Sequence, residues 1–304
     1  GTTKETTTKR KVIVESPESD FDFDNDSGTI IEYLGNGGAV VIPAKIDGVD
    51  VVTIGDMAFW SNDSVTSIRI PAGVTAIGTG AFAGCENLEA LVISGNLTEI
   101  ADNIFNGCTN LKNITIPGSV SSIGEEAFSG CKSLTGISIP AGVTSIGDWA
   151  FSGCTALQYI NVDVANTVYS SDGGVLFNKD KTTLISHPEG KAGTSFNIPD
   201  SVTVIGNGAF YNCINLENII IHGDVVSLGD WAFDSCRSLK SLIIPDSVTA
   251  IGEGAFYFCA DLESITLSDN ITDIKNYTFS GCESLTSIAI PEKVDTIDDY
   301  AFGG

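Results

Sequence analysis

The side chains of this sequence with chemistry to offer are eight cysteines, two histidines and a large excess of carboxylates. Cys85, Cys108, Cys131 and Cys154 follow one another at intervals of 23 residues, as do Cys213, Cys236, Cys259 and Cys282. Eight cysteines in an exported chain ordinarily mean a disulfide framework. Equal spacing means instead that every thiol holds the same place in a repeated unit, so the side chains stack in parallel. Distance within such a stack does not rule out bridging. Asn62 argues against it, because it fills the cysteine position one interval before Cys85, and a position that accepts Asn asks for a small hydrogen-bonding group. The thiols read as free and buried, with disulfides and a metal site as the alternatives.

A second column carries Asp56, Asp102, Glu125, Asp148, Asp230, Glu253 and Asp299, with Thr79, Asn207 and Asn276 in the same place. A line of carboxylates can hold cations, but these residue types also cap short helices and oppose the positive end of the helix dipole. The cap is the better account. The run Asp20, Asp22, Asp24, Asp26 suggests calcium, yet an EF-hand loop needs Gly and Glu where Asn25 and Ile31, or Ser27 and Tyr33, stand. A solvated edge strand fits it better. His187 and His222 form no Ser-His-Asp or Cys-His arrangement that is not arbitrary. Phosphate-binding glycine motifs are missing from strand-to-helix junctions. No catalytic, cofactor or metal residues are assigned, and the chain reads as a non-enzyme.

These columns belong to a repeat. Phe59, Phe82, Phe105, Phe128 and Phe151 are spaced by 23, then Phe210, Phe233, Phe256, Phe279 and Phe302. Each unit is too small to bury its apolar face alone and must bury it against its neighbours, which is the logic of a solenoid. Pairs such as Ile68 and Ile70, or Ile265 and Leu267, are spaced by two and mark a strand with both aliphatics inward. Proline stops that strand at Pro71, Pro117, Pro140, Pro245 and Pro291. An extended return leads through Val74 or Val143 to Ile77 or Ile146, and a tight turn carries Ala-Phe. Ten or so coils at about 4.8 Å predict a rod roughly 50 Å long. Between Phe151 and Phe210 lie 59 residues, thirteen beyond two periods, which predicts an expanded coil with a hairpin at about 163–198.

Residues 1–19 read as a flexible leader, residues 20–53 as an N-terminal β cap and residues 54–304 as the solenoid. In the cap, Thr29 to Tyr33 and Ala39 to Ile42 flank Gly35-Asn36-Gly37-Gly38, which predicts a hairpin between those two runs. At Phe302-Gly303-Gly304 the chain stops mid-unit, which reads as a truncated array or an exposed last coil. The formal net charge of −24 disfavours nucleic acid and anionic membranes as partners. No apolar run is long enough to span a bilayer, and no signal peptide is visible.

The pattern Leu-x-x-Ile-x-Ile-Pro followed by Ile-Gly-x-x-Ala-Phe-x-x-Cys, over about residues 39–304, resembles the BspA-type, Treponema-like, bacterial leucine-rich repeat. The resemblance implies an α/β repeat solenoid: a right-handed leucine-rich-repeat superhelix with a parallel β-sheet on one face, short helical turns and an N-terminal β-hairpin cap. It also implies a secreted or bacterial cell-surface location, and adhesion to a host extracellular-matrix protein or glycoprotein.

The outward strand positions are nearly free of charge in a strongly acidic chain, Arg69 being the exception. Arg69, Val92, Thr115, Tyr159, Asn161, Asn218, Ile220, Ile243 and Thr266 form the candidate protein-binding face of an expected monomer. A neutral face is approached without desolvating charges, and Tyr159, Ile220 and Ile243 add apolar contact. The competing account is that Ser and Thr merely suit exposed strands. A structural spacer that presents another domain is one rival function. A solenoid polysaccharide-acting enzyme is another, and it requires acid, base and cation-binding residues converging on a face that lacks them.

Overall fold

The computed structural model describes residues 14–303. Its chain winds as a β-solenoid of stacked coils. The part of the expected leader at residues 1–13 lies outside the described residues. The rest of it, from Ser16, is pinned: Ser16 N–H donates to Val41 O and Val41 N–H to the Ser16 hydroxyl, so order begins before Asp20.

The cap pairs differently from the expected hairpin. Strand β1 (Phe21–Asp24) runs antiparallel to β2 (Thr29–Tyr33), joined through a turn in which Asp24 accepts from Asp26 N–H and the Ser27 hydroxyl. β2 then lies parallel to Thr53–Ile54, while β3 (Gly38–Val41) lies parallel to Val65–Ile70. Two adjacent runs thus open two different ladders. The Gly35–Gly38 stretch is a corner of the first coil and not a hairpin turn.

One ladder stacks the Ile-x-Ile strands and the other the short strands that end in the return isoleucine. The first is interrupted. It comprises a three-stranded piece containing β3, Val65–Ile70 and Ala90–Ile93, a pair formed by Gly136–Ile139 and Tyr159–Val162, and a four-stranded piece from Ser195–Asn197 to Ser264–Thr266. The interruption after Tyr159–Val162 comes from the inserted residues. There Ile160 N–H donates to Gly174 O in the hairpin made by Tyr169–Asp172 and Val175–Asn178.

The expected helical turns are not helices. Among the described residues the only helical segment is the 3-10 turn Glu18–Asp20, so the class is all-β. The reason is local. The residue two before each Phe has a left-handed backbone, for example Asn103 at φ 55°, Glu126 at 51° and Trp149 at 58°, which no right-handed helix accommodates. Amide groups therefore bond across coils: Phe105 N–H to Ala127 O at 2.9 Å, Phe128 N–H to Ala150 O at 2.9 Å.

Stacking buries the phenylalanines. Phe82, Phe105 and Phe128 are fully buried, and their rings follow one another at centroid separations of 5.7 and 5.5 Å. The core runs in two blocks, one from the cap to Leu176 and one from Val175 to Ala301. In the first the aromatic series runs from Phe21 through Tyr33 and Phe59 to Phe151; in the second it runs from His187 through Phe210 to Phe302. His187 stands 23 residues before Phe210 and holds the phenylalanine place of the expanded coil.

Candidate functional site

All nine candidate face residues are exposed. The interrupted ladder distributes them over three pieces. Arg69 and Val92 are register partners in the first. Thr115 falls in a segment joined to the sheet by a single bridge, Ala90 to Asn113. Tyr159 and Asn161 belong to the central pair, where the Tyr159 ring lies so close over Gly136 that a Cβ there would collide with it. Asn218, Ile220, Ile243 and Thr266 are on the last piece, where Ile243 pairs in register with Thr266. The largest single apolar exposure on the face is there, Ile243 at 69%, beside Ile220 at 46%; Val92 on the first piece is at 47%. The hydrogen-bonded ladder therefore does not run unbroken beneath the nine residues, and four of them share its last piece.

The thiols point inward and make a specific bond. Cys131 donates to Phe105 O, the carbonyl of the preceding coil, and Cys85, Cys108, Cys154, Cys236, Cys259 and Cys282 repeat this across the same 26-residue separation. Burial pushes the thiols of Cys85 and Cys282 up to about 12, and those of Cys108 and Cys131 higher still, so thiolate, the reactive form, is suppressed. Asn62 does not do this work. Its side chain is half-buried and accepts from Ser64 N–H and hydroxyl, within its own turn.

The acidic column also acts between coils. Asp56 accepts from Thr79 N–H, Asp102 from Glu125 N–H at 2.8 Å and Asp230 from Glu253 N–H. These are caps of the next coil's turn, not of a helix in their own. They require close approach: a Cβ on Gly124 would collide with the Asp102 carboxylate. Among the described residues no three His, Cys, Asp or Glu side chains gather as metal ligands do. His222, at a strand end, meets Asn197 Oδ1 at 2.8 Å and Asp200 at 3.5 Å.

Sequence reasoning missed the junction coil. There His187 Nδ1 lies 3.3 Å from Cys213 Sγ, and burial drives the imidazole down to about 4, which keeps it neutral. Two residues on, Glu189 accepts from Gly153 N–H on one side and from Asn212 Nδ2, at 2.7 Å, on the other. Burial raises its carboxyl to about 7. The available signal was the offset of 23 between His187 and Phe210.

The comparisons agree with this architecture. The family profile described as BspA type leucine rich repeat region matches residues 52–173 and 189–304. A leucine-rich repeat protein from Eubacterium ventriosum is 27% identical, with a TM-score of 0.67 over 92% of this chain and 91% of the other. One from Bacteroides ovatus is 32% identical, at 0.62, over 95% and 78%. A leucine rich cell surface protein from Faecalibacterium prausnitzii is 32% identical, at 0.59, over 93% and 84%. A search of curated proteins finds no significant match. With most of its length in that profile and its coils in the matching register, the chain belongs to the BspA-type leucine-rich repeat proteins.

Proposed function

We propose that this chain is an exported, non-catalytic interaction scaffold of the bacterial cell surface, binding a host matrix protein or another glycoprotein through its outward strand positions. The observation that carries the reading is the pair Ile220 and Ile243, exposed on a nearly uncharged face of a chain whose net charge is −24. Large apolar side chains kept in water on an otherwise polar rod are characteristic of contact surfaces. The surface-protein relative supports the location, and no helix among the described residues is long and apolar enough to cross a membrane. The coils are taken to wind right-handed, as parallel crossovers nearly always do.

The test is capture of binding proteins from extracellular matrix and mucus, followed by affinity measurement with Ile220→Asp and Ile243→Asp. Each substitution is expected to weaken binding about tenfold or more while the thermal transition stays in place. Unchanged affinity would move the site off this face. Failure to retain any partner would favour the spacer reading.

A further inference from the structure

The inserted residues open a gap between the two aromatic series, and the gap is a cavity of about 90 Å³. That exceeds several times the ~10–15 Å³ a single water needs. Its walls include Ile146, Phe151, Leu157 and Leu176, its rim Trp149 and Tyr211, and its one deeply buried carboxylate is Glu189, 6% exposed. None of the nine strand-face residues lines it, so this site stands apart from the proposed function.

We propose that this cavity binds a small alkylammonium ion, with the Glu189 carboxylate as its counter-charge and Trp149 and Tyr211 as its aromatic rim. The ion pairs among the described residues leave Glu189 without a cationic partner. Lys191, close in sequence, donates instead to Gly173 O. A buried carboxylate with no counter-ion either keeps its proton or recruits a cation. Glu189 is built to do the second: Gly153 N–H and Asn212 take one lone pair on each oxygen, which leaves one on each for a ligand. The aliphatic walls suit an alkyl tail and not a hydrated metal ion. The aromatic rim suits a cation, since ring faces attract positive charge. Trp149 is held in place by the coil beyond the expanded one. Position 208, at φ 57°, takes only glycine beneath it, because a Cβ there would meet the indole at 2.6 Å. Tyr211 closes edge-on against it at 5.3 Å.

Binding consumes the ionised form of Glu189, so it strengthens as pH rises through about 7. The other ionisable groups around it are Asp148 at the cavity mouth, His187 in the wall, Tyr211 on the rim, Cys154 and Cys213 in the thiol column, and Asp234, Arg237 and Cys236 beyond Tyr211. His187 is held near 4 and the thiols and Tyr211 are pushed up, so these stay neutral across that range. Asp234, raised to about 6 by burial, lies outside the cavity lining and is opposed there by the permanent charge of Arg237.

The experiment titrates n-butylammonium chloride into the intact protein near pH 8 and near pH 5, following the Trp149 indole by NMR, with n-butanol and sodium chloride as controls. A saturable shift is expected near pH 8, weaker by about tenfold or more near pH 5 and in Glu189→Gln. Trp149→Leu, on the rim, is expected to weaken binding and decides the matter should the Glu189 variant unfold. Equal binding of butanol, undiminished binding by Glu189→Gln or Trp149→Leu, or no saturation at either pH would overturn the proposal.

Discussion

Gly130 and Gly153 stand one repeat apart in the same column, and their amide protons go to different kinds of acceptor. Gly130 N–H donates to the backbone carbonyl of Ser152 in the next coil at 2.7 Å; Gly153 N–H donates to the side chain of Glu189. Between the two lies the difference between a regular rung and the expanded one. In a regular rung a carbonyl of fixed charge always stands about one coil away, so the bond is set by winding alone. At the junction thirteen extra residues displace the winding, and a carboxylate reaches in to serve the amide. The lesson is that a repeat tolerates an insertion where a side chain can restore the lost ladder bond, at the cost of making the joint ionisable.

The largest expected consequence concerns the aromatic series. Phe128 has a ring on both sides, at 5.5 and 5.9 Å, whereas Phe151 is stacked on Phe128 alone and faces the cavity. Phe128→Ala should cost about 3–5 kcal/mol in denaturant unfolding, and Phe151→Ala clearly less, because it loses fewer contacts and extends an existing void. Equal costs would erase the distinction between rung and junction.

Next in size is the pH response of the joint. Glu189 holds its proton more tightly folded, near 7, than the ordinary value of 4.5 allows, so its stabilising contribution is complete below 4.5 and lost as pH rises through 7. His187, lowered from 6.5 to about 4, acts in the opposite direction, losing stability as pH falls through that range. Comparing wild type with Glu189→Gln removes the histidine from the account. The variant should gain relative to wild type from about pH 4.5 to 7, by on the order of 3 kcal/mol, measured as the difference in unfolding free energy at each pH. A difference independent of pH would mean that Glu189 is solvated.

The smallest effect separates thiols by position and leaves stability untouched. Cys282, the half-buried one, should react first with iodoacetamide in the native protein, and the seven buried thiols only on unfolding. Denatured, unreduced protein should titrate eight free sulfhydryls; a count near zero would replace the stacked thiols with disulfides.

Much of the coil was legible. The phenylalanine, leucine and return-isoleucine columns repeat because each must meet its own kind in the neighbouring coil, and Phe105, Leu111 and Ile123 are buried as the spacing requires. The expanded coil was visible as an excess of residues. The turn was misread, because the Asp and Asn of the preceding column are also what caps a helix, and Glu126 and Trp149 do not announce a left-handed backbone; Gly80, Asn103, Gly208 and Gly254, in the same place, are the types that do. The cap hairpin was misassigned for a related reason: glycines at Gly35 to Gly38 fit a hairpin and a coil corner equally.

The sequence by itself determined the period, the buried columns and the place of the insertion, since these depend on apolar residues recurring at a separation that stacking must honour. Only the tertiary structure decided which amide meets which acceptor. Those bonds join residues more than twenty positions apart, and where the winding shifts, as at Glu189, the partner is whatever group the displaced backbone leaves within reach.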